Sequence, residues 1–243
     1  MKAITTFSRA LFDSYAHRVI ETFENWPDRA RLIVYSEDMT GDNTERIEWR
    51  DLHQRCPDLV KFKEHCKTVP RPHNGYEFDA ARFANKAFAM MDGADAGLCF
   101  WLDADCVTYR KIPDGFMESL IPEGHYMGYY GRDKLYTETG FWGARADHRY
   151  HKKFMDAWKQ VYLDGTVFKL PQWHDCMTLD FTRAHFETWG LMKNENLSAE
   201  YFRISHPMAR SKLGRYIDHC KGPRKIEGFS PENPWREREA RQP

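Results

Sequence analysis

The stretch Leu98-Cys99-Phe100-Trp101-Leu102-Asp103-Ala104-Asp105 constrains this chain more than any other. An uncharged apolar run gives way at once to two carboxylates separated by one small residue. Entered through the turn-like Asp92-Gly93-Ala94-Asp95, the apolar part reads as a short buried strand. In extended backbone, residues i and i+2 project to the same side, so Asp103 and Asp105 are expected to aim together just past the sheet edge. Open α/β sheets bind their ligands there, outside the carboxyl ends of strands. Two carboxylates that close repel unless a positive charge sits between them, and a hard divalent cation meets that need. The pair therefore points to a metal that carries a phosphorylated substrate.

The surrounding pattern supports an α/β sheet. Residues 2–7 and 31–35 read as strands, and a helix between them follows from Leu11, Phe12, Tyr15, Val19 and Phe23, closed by Trp26-Pro27. A polar loop is expected over 39–50, a helix near 51–66, a break at Pro70–Gly75 and an amphipathic helix over 77–91. This β-α-β-α-α-β order predicts parallel strands joined by right-handed crossovers. Strands are then expected at 106–109, 124–130 and 139–143, and helices near 148–163 and 174–186, before a basic, Gly/Pro-rich tail from Pro207.

Length and charge narrow the function. The 243 residues suit one large domain with a substantial core. Lys plus Arg equals Asp plus Glu at 36 each, so no net field draws the chain toward nucleic acid or membrane. Eight Trp exceed what such a core needs, which places some of them in a binding cleft. No apolar run approaches transmembrane length and no hydrophobic leader follows Met1, so a cytoplasmic protein is expected. Six Cys without a CxxC read as reduced thiols, and His53, Cys56, His65 and Cys66 match no common zinc spacing.

The tail carries the second signal. His219-Cys220-Lys221-Gly222-Pro223-Arg224-Lys225 combines a histidine, a glycine that permits close backbone approach and three cations, a set suited to a metal-bound diphosphate. Together, the two segments resemble the GT-A class of glycosyltransferases. Its Asp-x-Asp motif holds a divalent metal on the diphosphate of a nucleotide sugar. The tail is similar to the His-x-x-Gly-x-x-Lys segment of the retaining glycogenin and galactosyltransferase group. That resemblance implies Asp103, Asp105 and His219 as ligands of Mn2+ or Mg2+, with Gly222 and Lys225 on the diphosphate; Lys221 and Arg224, the other cations of the run, are expected to join them.

Other positions follow by the same resemblance or by their place in the fold. Arg82 and Lys86, one helical turn apart, are similar to an Arg-Phe-x-x-Lys pattern on the donor-binding helix of several GT-A families. Thr5, Phe7 and Ser8 end the first strand, where such folds hold the nucleoside, and Glu37 and Asp38 end the second. Glu138, in Glu138-Thr139-Gly140-Phe141, is expected to bind an acceptor or donor hydroxyl, with Trp142 stacking on a sugar. Trp173-His174-Asp175-Cys176 opens a helix near the acceptor side, with Trp173 and His174 expected against the acceptor sugar. There Asp175 is the expected carboxylate for an oxocarbenium-like centre, or simply the helix cap.

The fold expected is α/β: a GT-A-like single domain with a mostly parallel, Rossmann-like sheet flanked by helices and a small antiparallel element. Residues 1–106 form the donor half, 107–206 the acceptor-side half, and 207–243 a tail closing the site. The activity implied is metal-dependent, retaining transfer from a UDP-sugar to a saccharide or other hydroxyl acceptor. The readings left open are a glycosyltransferase acting on a hydroxylated nucleic-acid base and a non-catalytic carbohydrate-binding protein. A metal-dependent nucleotidyltransferase fits less well, because Phe7-Ser8-Arg9-Ala10-Leu11 lacks the Gly-rich basic loop it requires.

Overall fold

The structure is a computed structural model and describes residues 1–198, 203 and 206–236. Its strands are β1 (Lys2–Thr6), β2 (Arg31–Ser36), β3 (Ile47–Asp51), β4 (Leu98–Leu102), β5 (Cys106–Thr108), β6 (Met127–Arg132), β7 (Leu135–Arg145), β8 (Glu195–Asn196) and β9 (Ile217–His219). Seven of them form one sheet in the order β3-β2-β1-β4-β7-β6-β8, and β5 pairs with β9 in a separate two-stranded ribbon. The pairs β1–β2, β1–β4, β2–β3 and β6–β8 are parallel, while β7 runs antiparallel to β4 and β6. The mostly parallel sheet with a small antiparallel element is thus present.

Strand alternation sorts the core into two layers. Ile4, Ile33, Trp101 and Trp142 face one side and pack against Leu59, Phe62, Ala84, Phe88, Phe154 and Trp158. Ala3, Leu32, Phe100, Leu102 and Phe141 face the other, with Phe7, Val19, Phe23, Trp26 and Ile217. Adjacent residues such as Phe100 and Trp101 feed opposite layers because the side-chain period of a strand is two. The first layer is roofed by the Pro57–Cys66, Ala80–Gly93, His151–Leu163 and Asp175–Thr188 helices.

Three local expectations are corrected. The polar stretch taken as loop contains β3, whose charged sequence Ile-Glu-Trp-Arg-Asp fits an edge strand with its outer side in water. The helix after β1 is continuous over 9–25 but widens to a π-turn at Phe12–Ala16, where the His17 N–H reaches back to Phe12 O. Finally, Asp103 and Asp105 do not lie on extended backbone. β4 ends at Leu102, and the Cys106 N–H closes a turn onto Asp103 O at 2.9 Å.

One buried histidine in this core has a pH consequence. His151 lies between Ala94 O, 2.6 Å from Nε2, and the Tyr126 hydroxyl, 3.1 Å from Nδ1. Burial lowers its pKa, outweighing the hydrogen bond to Ala94 and the Asp147 charge. A depressed folded pKa means the stabilisation is complete above the unfolded value of about 6.5 and is lost as pH falls through the folded one. In urea melts from pH 8 to 5, the wild type should lose stability relative to His151→Gln, with a slope no steeper than about 1.4 kcal/mol per pH unit. Parallel curves would show that His151 does not titrate there.

Candidate active site

The strand order dictates where a ligand can enter. From β1 the chain steps outward to β2 and β3, then crosses back to β4 on the other side of β1. The crevice at that reversal, outside the carboxyl ends of β1 and β4, is the switch point at which open α/β sheets bind nucleotides. Asp103 and Asp105 stand at the end of β4. The ribbon brings the tail to them, since β5 pairs Cys106 with His219 and the Cys220 N–H donates to Asp105 O at 2.9 Å.

His219 is the centre of the cluster. Its Nε2 lies 3.0 Å from Asp105 Oδ1 and 3.7 Å from Asp103 Oδ2, while Nδ1 faces Glu138 Oε1 at 3.6 Å. Lys225 Nζ sits 2.9 Å from Asp105 Oδ2, and Lys221 pairs with Glu138. Gly140 leaves room for the imidazole, because a methyl on its Cα would overlap the His219 ring. Gly140→Ala is therefore expected to push His219 off its position and weaken divalent-ion binding at least roughly 10-fold, with about 1–3 kcal/mol of lost stability. Mn2+ titration and urea melts on the variant check both numbers, and unchanged values would mean the ring has room to move.

A second ionic network fixes the floor of the site. Lys86, buried on the Ala80–Gly93 helix, places Nζ 2.7 Å from Asp103 Oδ1 and 3.0 Å from Asp175 Oδ2, and also donates to Thr139 O. Trp101 Nε1 donates to the same Asp103 oxygen at 2.6 Å, and Thr139 Oγ1 to Asp175 Oδ2 at 2.6 Å. Asp103 Oδ1 is thereby committed, leaving Oδ2 toward His219.

The electrostatics follow from burial and pairing. Burial pushes the Asp105 carboxyl up, but His219 and Lys225 outweigh it and hold it well below the usual carboxylate range. Burial likewise opposes ionisation of Glu138, and His219 with Lys221 bring it down to about 2. Burial lowers the His219 pKa, while Asp105 and Glu138 more than reverse that. Burial, then His219 and Lys221, press the neighbouring His206 down to about 3. Lys86 is raised despite burial by Asp103 and Asp175.

These residues fit a hard divalent cation. Asp105 Oδ1 is buried without a hydrogen bond, and it converges with His219 within 4.8 Å in a group that could hold an ion. The group also includes Cys106, whose Sγ lies 3.7 Å from Gly140 O and whose pKa burial raises well above the ordinary value. A buried neutral thiol is a poor ligand for a hard ion, so the oxygen and imidazole donors define the site's preference.

The remaining expected positions divide. Lys221 and Lys225 reach the cluster, and Gly222 adopts φ +60°, a left-handed conformation that suits glycine in this tail loop. Arg224 instead pairs with Glu232 and donates from Nε to Lys221 O. Thr5 is fully buried within β1, and Phe7 packs against Phe12 and Trp49. Ser8 caps the following helix. Glu37 is engaged by Lys63 and Asn85, and Asp38 accepts from Arg9 N at 2.8 Å. Arg82 is exposed, with its guanidinium 6.0 Å from the Phe83 ring.

Three expectations on the acceptor side are overturned. Trp142 is fully buried and meets Trp158 edge-on at 5.6 Å, so it offers no face to a sugar. Trp173 is also core, wedged between Phe78 and Phe168. The helix cap is His174, whose Nδ1 accepts from Met177 N at 3.1 Å, rather than Asp175. The Tyr136 ring stands 5.2 Å from that of His174. Sequence reasoning missed three residues around the cluster. The His206 ring is 5.3 Å from His219, Tyr15 has Lys225 Nζ 5.2 Å from its ring centre, and Arg132 NH1 is 3.8 Å from Glu138. None of the three carries a sequence signal; the π-turn bearing Tyr15 shows only in the structure.

No protein-family model and no curated protein sequence matches the chain, whereas solved structures do. Mouse xyloside xylosyltransferase 1 in its apo form superposes with a TM-score of 0.51 at 11% identity, over 82% of this chain and 86% of that one. The galactosyltransferase LgtC, solved with donor and acceptor sugar analogues, gives 0.52 at 13% identity over 98% and 94%. The fold is GT-A. The bifunctional glycosyltransferase WbbM also aligns at 0.53 and 8% identity, and there this chain spans about half of the longer protein, 51%. The mostly parallel central sheet flanked by helices is the one the sequence leads one to expect. Among the described residues no helix is long and apolar enough to cross a membrane.

Proposed function

We propose that this chain is a metal-dependent glycosyltransferase that moves a sugar from a nucleotide-diphosphate sugar, with UDP as the nucleotide, to a hydroxyl acceptor with retention. The observation that carries this reading is the meeting of Asp103, Asp105 and His219 at the switch point of a GT-A sheet. A bound Mn2+ or Mg2+ would neutralise the charge that develops on the departing diphosphate. Asp103 Oδ2, Asp105 and His219 Nε2 are the groups to hold it.

The chain's own residues do the rest. Lys225, freed from Asp105 when a cation binds, would carry charge to the phosphate oxygens in the transition state, with Lys221 beside it on Glu138 and Gly222 allowing the tail backbone to approach. Phe7 and Ser8, just past the end of β1, would bound the nucleoside end of the crevice, with Glu37, Asp38 and Arg82 around it. Lys86 holds Asp103 and Asp175 side by side. Asp175, braced by Thr139, is the carboxylate assigned to the oxocarbenium-like centre. Tyr136 and His174 line the side from which a saccharide hydroxyl would arrive.

The test is donor hydrolysis. UDP release should be measured from a panel of UDP-sugars, and GDP release from GDP-sugars, with and without Mn2+. Slow release from one donor that requires the metal supports the reading and names the sugar. Failure of every donor, together with no metal-dependent nucleotide binding, would sink it.

A further inference from the structure

The carboxylate of Glu138 has an obvious role to refuse. Lying on β7 one residue from Thr139, it is a natural candidate to grip a substrate hydroxyl, but it is only 4% exposed and both oxygens are engaged. Oε1 accepts from Gly140 N at 3.2 Å and faces His219 Nδ1 at 3.6 Å. Oε2 holds Lys221, with Arg132 at 3.8 Å. Nothing is left over for a substrate.

The opposite nitrogen of the same ring explains the arrangement. His219 Nε2 is the atom that meets Asp105 and Asp103. A neutral imidazole carries one proton, and a metal needs the lone pair of the nitrogen that faces it. His219 Nδ1 is buried without a hydrogen-bond partner, and the carboxylate beside it is Glu138. Gly140 contributes twice, since its N–H orients Oε1 and its missing side chain gives the ring its slot.

We infer that Glu138 is a positioning residue that holds the Nδ1–H form of His219, so that the Nε2 lone pair is presented to a divalent cation beside Asp103 and Asp105. Metal-binding histidines commonly depend on such a carboxylate behind the ring, and its removal costs roughly 10- to 100-fold in metal affinity. Lys221 and Arg132 keep Glu138 oriented from the other side, which ties the tail lysine to the histidine three bonds of contact away from the ion. The inference rests on the metal reading proposed above, and it assigns Glu138 no contact with substrate.

Two measurements on the whole protein, neither of them an activity, decide it. Free Mn2+ should be titrated by electron paramagnetic resonance against wild type, Glu138→Ala and Glu138→Gln, with no nucleotide sugar present. The expected result is roughly 10- to 100-fold weaker binding in Glu138→Ala and a smaller loss in Glu138→Gln, whose amide oxygen can still accept from Nδ1–H. Independently of any variant, long-range 1H–15N NMR of the Mg2+-loaded wild type should show His219 protonated on Nδ1. Unchanged Mn2+ affinity in a folded Glu138→Ala overturns the inference, as does an Nε2–H tautomer in the wild type. Wild type that binds no Mn2+ overturns the metal reading itself, a separate and recognisable outcome.

Discussion

Asp105→Asn is expected to lower metal-dependent donor turnover by at least about 10^3-fold, the largest effect of any single substitution in this chain. The change keeps the side chain's shape and removes its charge, so the loss isolates electrostatics from packing. Asp105 is the most committed of the two β4 carboxylates: it is 7% exposed, and His219 and Lys225 both converge on it. Without its charge, a divalent ion loses an anionic ligand, and two buried or half-buried cations lose their counter-ion. Mn2+ binding and UDP release, measured on protein shown by its melt to be folded, give the result directly. Turnover within about 10-fold of wild type would mean the ion sits elsewhere or is not needed.

The second large effect concerns stability rather than chemistry. Lys86→Met should destabilise the fold by roughly 3–5 kcal/mol, the cost of leaving buried charges without their partner. Among the described residues, Lys86 is the single cation that touches both Asp103 and Asp175, and it also donates to Thr139 O between them. Its aliphatic stem is replaced by a side chain of similar length, so packing changes little. For a domain of this size the deficit corresponds to a fall in Tm of about 10 °C. Adding Asp175→Asn to the variant should recover part of the loss, because it removes one of the two stranded charges. Urea melts of the single and double variants test the coupling. A single variant within about 1 kcal/mol of wild type, or a double variant worse than additive, would show that Lys86 is not the counter-ion of this pair.

Much of the donor side was legible because local signals and the global fold agree there. The apolar run of β4, the turn before it and the Ala80–Gly93 helix each have one dominant pattern, and parallel order follows from their alternation. The edge strand β3 was illegible for the opposite reason. Glu48, Arg50 and Asp51 are polar because the strand borders water, and polarity alone cannot tell an edge strand from a loop. Aromatic residues failed in another way. Trp142 and Trp173 announce a large apolar surface, but which layer receives it depends on partners such as Trp158 and Phe168 that lie elsewhere in the sequence.

The site shows the same division at finer scale. Asp103, Asp105 and His219 could be named from spacing and resemblance, and the structure brings them together. The charge balance around them could not. Lys86 bridging two carboxylates, Arg224 turning away to Glu232 and Glu138 lying behind the imidazole are all matters of tertiary placement. Glu37 and Asp38 were equally ambiguous, since a carboxylate at a strand end serves a ligand or a neighbouring lysine with the same chemistry.

The ribbon of β5 and β9 also sets a schedule. As a chain leaves the ribosome from its N-terminus, β1 to β4 and both aspartates emerge first, and the histidine that faces them emerges long afterward. Until β9 clips onto β5, the nascent protein holds an acidic crevice with neither its imidazole nor its tail lysines. Until then Asp105 lacks the imidazole that the folded chain sets 3.0 Å from its carboxylate and the Lys225 ammonium at 2.9 Å.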